Sequence, residues 1–471
     1  MLNSLKQKIK LHLVKTANPG QLMRLSEDKA VRAFKNAAIN IPAYRAYLKQ
    51  HNVLSEGINS IDAFKEKVPI INKEKTFKLC SNEIKKLCLR GELRDVKTVI
   101  SSSGHSGCFS FGLNTERELR SAQNEIDIAL ESIFSVKKKK TLLVNALPMG
   151  VKVNSALTTV VDTSVRSDIV LAVVKTFWRC YDQIIIVAEN SFAKKILEEG
   201  QEEGIDWKDH TIHLVLAEEI LPENLRSYLA NLLGVDLDSK KPKSIIGSSF
   251  GISEFGLNIF FETLQTIGLR RLMQHDDKLK QALIGKEGNC LPMIFQYNPL
   301  RFFVEETKVQ DHSHLVLTSL DCKTIIPLIR YDIEDDANIL SYESLKQILE
   351  SQEYLEYLPE LKLPLAIIWG RQTLTTPQGL ALRPGIIKET LYKNFETAKM
   401  ITGYFRLSIS GDELKIEIQL RHGRNVSAEL EHAVKEILAK NLAIKTNIVF
   451  YPYREFPYGM ELDYERKFEY I

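Results

Sequence analysis

Apolar residues in the first 95 positions recur at helical spacing. The stretch EDKAVRAFKNAAINIPAYRAYLKQ carries it and is interrupted at Pro42, where a missing backbone N–H ends a helix. From Val99 the texture changes. TLLVNAL, QIIIVAE, IHLVLAE and KSIIGSS are short apolar runs, and SFAKKILEEGQEEG and LPENLRSYLANLLG between them have helical spacing. Strands alternating with helices predict an α/β fold with largely parallel pairing. After Leu291 the runs PMIFQY, RFFVEE and HLVLTSL shift the pattern toward β. The stretch IIWGRQTLTTPQG, with its glycines, proline and threonines, reads as a boundary or hinge. Beyond it come helix IIKETLYKNF, strands YFRLSIS and ELKIEIQLR, helix SAELEHAVKEILAKNL and strand TNIVFYP. The pattern therefore predicts a large N-terminal α/β domain over residues 1–369 and a small C-terminal α+β domain over 370–471, with no internal repeat.

Composition narrows the function class. The 471 residues are 44% hydrophobic and 26% charged, and 63 basic residues against 60 acidic ones leave a net charge of +3. That balance gives no general attraction to nucleic acid. The one dense basic run, Lys137 to Lys140, reads as a solvated turn before a strand. Six cysteines, none in a C-x-x-C pair, read as reduced thiols of a cytoplasmic protein. Leu5, Ile9, Leu11 and Val14 suit an amphipathic N-terminal helix packed on the body, and the segment lacks a signal-peptide core. No run approaches the ~20 apolar residues of a membrane span.

Candidate chemistry begins at VISSSGHSGCFSFG, Val99 to Gly112. Such a stretch is either a plain surface loop or a phosphate-binding one, because backbone N–H groups of a glycine-rich turn form an anion-binding concavity and hydroxyls add donors. It lacks P-loop spacing. Further on stand Ile245 to Gly256 (IIGSSFGISEFG), Pro327 to Asp336 (PLIRYDIEDD) and Trp369 to Gln372 (WGRQ). His312 with His314, and His210 with His213, are close enough in sequence to share a metal, but neither pair has an evident third ligand. Glu218, Glu219 and Glu223 form an acidic group.

The order of these motifs resembles the adenylate-forming enzymes, most of all their phenylacetate–CoA ligase branch. Ser102-Ser103-Gly104-His105-Ser106-Gly107 stands where that branch has S-S-G-T-T-G. Phe250-Gly251-Ile252-Ser253-Glu254 matches [YF]-G-x-[ST]-E, Arg330-Tyr331 with Asp335 matches R-Y-x-x-x-D, and Gly370-Arg371 matches the hinge. Asn40 to Leu48, Val68 to Phe77, Val215 to Arg226 and Gly370 to Leu391 resemble further stretches of the branch, so the resemblance covers most of the chain. It implies an ATP-dependent ligase that forms an acyl-adenylate and then a thioester, with coenzyme A as the acceptor, from an aromatic or otherwise apolar acid. Ser102, Ser103, Gly104, Ser106 and Gly107 would clasp phosphate, with Ser249, Gly251 and Ser253 beside it. Phe250 would stack on adenine unless it is a core aromatic. Glu254 would hold Mg²⁺, and Asp335 would accept from the ribose unless it is a turn residue. Arg330 and Arg371 would supply positive charge. Partners implied are a small carboxylic acid, an acyl carrier protein as alternative thiol, and a second copy of the chain.

The pattern also breaks. His105 replaces a threonine, Asp332 an arginine, and Thr373 and Leu374 an expected acidic hinge residue. The branch ends P-R-S-x-x-G-K; here Pro457 fits, Leu462 falls at the lysine, and Lys467 lies five residues later. Lys467 is then either the adenylation lysine on a longer loop or a solvated charge. The substitutions leave open a catalytically degenerate nucleotide- or acyl-binding scaffold. Pro148, Met149 and Val151 are candidates for the acyl pocket.

Overall fold

In the computed structural model, residues 17–471 are described apart from 103, 105, 106, 286–290, 310, 311, 372, 377, 378, 380, 443, 459–463 and 466. The described residues begin with helices Pro19–Asn40, Pro42–Gln50 and Ile61–Lys67. Asn18 accepts from Gln21 N and Pro19 fills the first turn, a combination that starts a helix where its amides lack partners. Strands β1 (Val96–Ser101) and β2 (Phe111–Thr115) form an antiparallel hairpin. Thr115 then opens helix Glu116–Phe134 with a reciprocal capping box to Glu118.

Among the described residues eleven strands share one sheet. They are β3 (Thr141–Ala146), β4 (Thr159–Asp162), β5 (Gln183–Glu189), β6 (Ile212–Ala217), β7 (Ile246–Ile252), β8 (Gly256–Phe261), β9 (Met293–Tyr297), β10 (Phe302–Val309), β11 (His312–Ser319), β12 (Tyr331–Leu340) and β13 (Leu365–Gly370). Their order is β10-β11-β12-β13-β9-β8-β7-β6-β5-β3-β4. The five strands from β4 to β7 run parallel. From β7 to β10 every pairing is antiparallel. The expectation of largely parallel pairing therefore holds for one half of the sheet only. After β7 the chain turns back through Ser253 to Phe255 into β8, and a tight return makes an antiparallel neighbour.

The parallel half is covered on both faces, which is why its strands read as continuous apolar runs. Leu142, Val144, Ala146, Ile184, Ile186 and Ala188 pack with helices Ser167–Phe177, Asn190–Glu202 and Glu223–Leu233. Leu143, Ile185 and Val187 face helix Glu116–Phe134. No described helix is long and apolar enough to cross a membrane.

After the two-stranded pair β14 (Leu374–Thr375) and β15 (Ala381–Leu382), β16 (Ile401–Ser410), β17 (Glu413–Leu420) and β18 (Thr446–Tyr451) form a small sheet with helix Ala428–Asn441. The α/β class and the small α+β unit at the C-terminal end are as the patterning predicts. The small unit is fastened to helix Asn190–Glu202: Lys194 Nζ donates to Ile401 O at 2.7 Å, and Arg421 Nε meets Glu198 at 3.0 Å.

A buried ionic network ties the middle of the sheet to the helices. Arg226, fully buried, pairs with Glu223 at 3.0 Å and Glu262 at 2.8 Å, and Arg270 pairs with the same Glu223. Glu262 also accepts from Ser248 N in β7 at 2.8 Å. Despite burial, Arg226 and Arg270 hold the Glu223 carboxyl below its ordinary value. Arg226→Ala leaves two carboxylates buried beside one remaining guanidinium and is expected to destabilise the fold by about 3–5 kcal/mol. Denaturant unfolding measures this, and a loss below ~1 kcal/mol would remove the network from the fold's support.

Candidate active site

The carboxyl ends of the parallel strands lie along one edge of the sheet, where open α/β sheets bind ligands. Pro148 and Met149 follow β3 there, Ser164 follows β4, Glu189 closes β5, Glu218 follows β6, and Ser253-Glu254 follow β7. The β1–β2 hairpin is pressed against this last turn. A Cβ at Gly112 would collide with the Ser253 carbonyl oxygen, so only glycine permits the approach. It brings Ser110 Oγ to 3.4 Å from Ser253 Oγ.

The hydroxyl-rich loop spans the tip of that hairpin. Ser102 and Ser110 close its base, with Ser102 N donating to Ser110 O at 3.0 Å and Ser110 N to Ser102 Oγ at 3.0 Å. Gly104 and Gly107 both adopt left-handed backbone, φ 75° and 72°, and Gly107 N donates to Gly104 O. Phe109 packs where a side chain on Gly104 would stand. Ser103, Ser106 and His105 lie outside the described residues. Lys73 Nζ donates to Ser102 Oγ at 3.1 Å. Its position comes from the segment before it: Ile71 N donates to Arg330 O and Asp332 N to Ile71 O, so Ile71 adds to β12 as an extra rung. Asn72 reaches Glu334 at 3.3 Å.

Glu254 sits between two hydroxyls. Ser253 donates to one carboxylate oxygen at 2.7 Å and Tyr331 to the other at 2.9 Å. Burial, then the Glu254 charge, raises the Tyr331 phenol above its ordinary value, keeping it a donor. Asp335 is buried on a bulge of β12, where Val316 and His314 of β11 face Asp332 and Asp336, leaving extra residues on β12. Such a bulge re-aims a side chain. Asp335 accepts from Arg371 Nε at 3.0 Å. Arg371 is held above its ordinary value by Asp335 first, with the charges of Glu334 and Glu254 adding. Gly370 before it has φ 81°.

Other expected residues take different places. Ser249 Oγ donates to Asn258 Oδ1 at 3.1 Å. Phe250 is half-buried, edge-on to Phe260 with ring centroids 5.6 Å apart. Gly251 lets the turn close, since a Cβ there would meet Gly256 O and Leu257 Cα. Arg330, itself buried, is committed elsewhere: it pairs with buried Glu305 and donates to the carbonyls of Lys65 and Val68 at the end of helix Ile61–Lys67. Pro148 is buried and Met149 exposed. His213 is a core residue that accepts from Ile245 N at 2.9 Å, and burial pushes its pKa down to about 3. His312 and His314 each face a single carboxylate, Asp336 and Asp332. Lys73 lies inside a matched stretch and Tyr331 is a letter of the R-Y-x-x-x-D motif, but the motifs assign neither a role, and only pairing across the sheet shows their contacts with Ser102 and Glu254.

The small unit packs against the carboxyl ends of β5 and β6. Glu219 accepts from Lys388 and from Tyr470 OH, and Glu189 from Tyr404 OH at 3.3 Å. Lys467 is exposed, and its charge bears on Glu218. Burial first, then Glu189, pushes the Glu218 carboxyl up to about 8, against the opposing pull of Lys467; burial and Glu219 push Glu189 up to about 7. Glu223, grouped with these acids by sequence, belongs instead to the Arg226 network.

No family model matches the chain, and no curated protein matches it in sequence. Solved structures do share its fold. The chain aligns with 2-hydroxyisobutyryl-CoA ligase in the postadenylation state in complex with R3-HIB-AMP, at 12% identity over 97% of this chain and 90% of that one, TM-score 0.69. With the same ligase in complex with 2-HIB-AMP in the postadenylation state the identity is 14%, over 90% and 84%, TM-score 0.64. With its complex with 2-HIB-AMP and CoA in the thioesterification state it is 14%, over 93% and 88%, TM-score 0.57. The chain thus shares the fold of these CoA ligase structures.

Between pH 4.5, the ordinary glutamate value, and about 8, Glu189 and Glu218 bind more protons in the folded chain than in the unfolded one. Their contribution to stability is therefore full below about pH 4.5 and is lost as pH rises through 7 to 8. Glu218→Gln is expected to flatten the fall of the thermal midpoint between pH 6 and pH 9. Identical slopes in the two proteins would show that Glu218 ionises freely.

Proposed function

We propose that the chain is an ATP-dependent ligase that activates a carboxylic acid as its adenylate and passes the acyl group to a thiol, coenzyme A. One observation supports the reading: hydrogen bonds link Ser102 through Ser110 and Ser253 to Glu254 and on to Tyr331 of β12, the strand that also carries Asp335, on a fold shared with CoA ligases. In the reaction an acid oxygen bonds to the α-phosphorus and pyrophosphate leaves. The thiol sulfur then bonds to the acyl carbon, AMP leaves, and the thiol proton goes to solvent.

The residues fit these substrates. Gly104 and Gly107 both have left-handed backbone, the conformation through which successive N–H groups can face an anion, and Lys73 donates to Ser102 beside them. Phosphate charge spread over Ser102, the loop amides and Lys73 is offset by fixed donors that need no reorganisation. Asp335 exchanges Arg371 for ribose hydroxyls, and Arg371 turns to the phosphate. Phe250 forms a wall for adenine. The oxygen donors Glu254, Ser253 and Tyr331 are the hard ligand set Mg²⁺ prefers, and that ion, when bound, supplies charge neutralisation at the phosphates. The acid is taken as aromatic or otherwise apolar, with Pro148, the exposed Met149 and the half-buried Val151 after β3 as candidates to line its pocket. The moving unit begins at Gly370, whose left-handed backbone precedes the Arg371 and Arg383 ties to Asp335 and Asp336.

Acid-dependent ATP–pyrophosphate exchange over a panel of aryl, fatty and amino acids, with Mg²⁺, tests this. Wild-type protein is expected to exchange with at least one acid, and Glu254→Gln to lose about 100-fold or more. Lys467→Ala is expected to lower kcat while leaving the KM for ATP within about twofold, because a charge aimed at the reacting phosphate acts in the transition state. Folded protein that binds no ATP would sink the reading.

A further inference from the structure

The last eight residues do more than end the small unit. Leu407 N donates to Tyr470 O at 2.7 Å, and Arg406 to Glu469 O at 2.8 Å, so the tail runs beside β16. Tyr464, Phe468 and Tyr470 are buried. The Tyr464 ring lies 5.2 Å from Phe192 of the large sheet's helical layer and 5.5 Å from Tyr404. Tyr470 OH reaches Glu219 at 3.2 Å. The tail therefore joins the two parts of the molecule, and it carries Lys467.

Within it one carboxylate makes contacts of a different kind. Glu465 accepts from Met149 N at 2.8 Å with one oxygen and from Ser164 Oγ at 2.8 Å with the other. The donors come from different loops, one after β3 and one after β4, more than 300 residues earlier. Both donor residues are non-glycine residues in left-handed backbone, Met149 at φ 56° and Ser164 at φ 51°, and Tyr464 beside the acceptor is at φ 61°. Such conformations cost on the order of 1 kcal/mol or more each and persist where surrounding contacts over-determine them. Here two of them, Met149 and Ser164, donate to one carboxylate, and Tyr464 is its chain neighbour. A charged acceptor strengthens both hydrogen bonds over neutral ones. Two residues further on, the Lys467 ammonium bears on Glu218 at the end of β6.

We propose that Glu465 is a positioning residue: its carboxylate docks the C-terminal tail onto the loops after β3 and β4 and so holds Lys467 at the carboxyl edge of the sheet. The docking stands on the geometry alone; its consequence for catalysis rests on the adenylation reading.

Amide hydrogen exchange of the full chain tests the docking without any substrate. Glu465→Ala is expected to raise exchange in residues 147–151, 163–166 and 467–471 and nowhere else. Glu465→Gln is expected to restore protection, because its amide oxygen still accepts from Met149 N and its NH₂ can donate to the Ser164 hydroxyl. Ser164→Ala loosens the same segments from the other side without altering the tail, and adds nothing to Glu465→Ala if the two act through one contact. Unchanged exchange in both alanine variants, or purely additive effects, would overturn the docking. In pyrophosphate exchange, Glu465→Ala should lower kcat about tenfold or more with the KM for ATP unchanged, since a displaced catalytic group costs rate rather than binding, and the glutamine variant should recover most of it. Full kcat in an alanine variant whose tail has loosened would overturn the positioning role. Wild-type protein silent with every acid would refute the adenylation reading, while hydrogen exchange still decides whether Glu465 docks the tail.

Discussion

The site depends on one close approach, the Gly112 backbone against the carbonyl of Ser253. No side chain fits between them. The contact fixes the β1–β2 hairpin to the turn after β7, and everything at the tip of the hairpin inherits its position from it. Ser110 meets Ser253 because of it, and Ser102, tied to Ser110, carries the loop to the same place. The hairpin belongs to a two-stranded sheet of its own, so without this contact its loop would have no fixed relation to Glu254.

The large sheet contributes through its change of direction. Its parallel half sends Glu189, Glu218 and Glu254 to a single edge. Its antiparallel half brings back Tyr331 and Asp335 on β12, with a bulge that aims Asp335 at Arg371. Extra pairing by Ile71 on β12 delivers Lys73 from the N-terminal segment. The charges then divide by task. Arg226, Arg270 and Arg330 are buried in ion pairs and support the fold, whereas Lys73, Arg371 and Lys467 stand partly or wholly open to solvent around the carboxyl edge.

Acid groups dominate the contact between the two parts. Glu189, Glu218 and Glu219 lie near one another, with Lys388 and Lys467 as the cations that bear on them. Crowding of like charge in a poorly hydrated interface favours protonated carboxyls. An interface of this kind holds less firmly as pH rises.

Sequence by itself determined the elements and their layers. Apolar runs flanked by helical segments gave β3, β5, β6 and β7, and the C-terminal order of helix and strand was legible because each element there has a clean period and polar turns. It also determined which motifs carry hydroxyls, glycines and carboxylates, since those residue types are visible without a fold. Tertiary structure alone decided the pairing direction after β7, because a tight return and a crossover differ in space more than in composition. It decided that Arg330 serves the core while Arg371 faces Asp335: a guanidinium takes whichever carboxylate the packing brings near it, and nothing in its local sequence says which. It decided the places of Lys73, Tyr331 and Glu465, whose partners lie 29, 77 and more than 300 residues away. Contacts at such separation are set by how strands stack and loops bend, and local patterning carries no record of them.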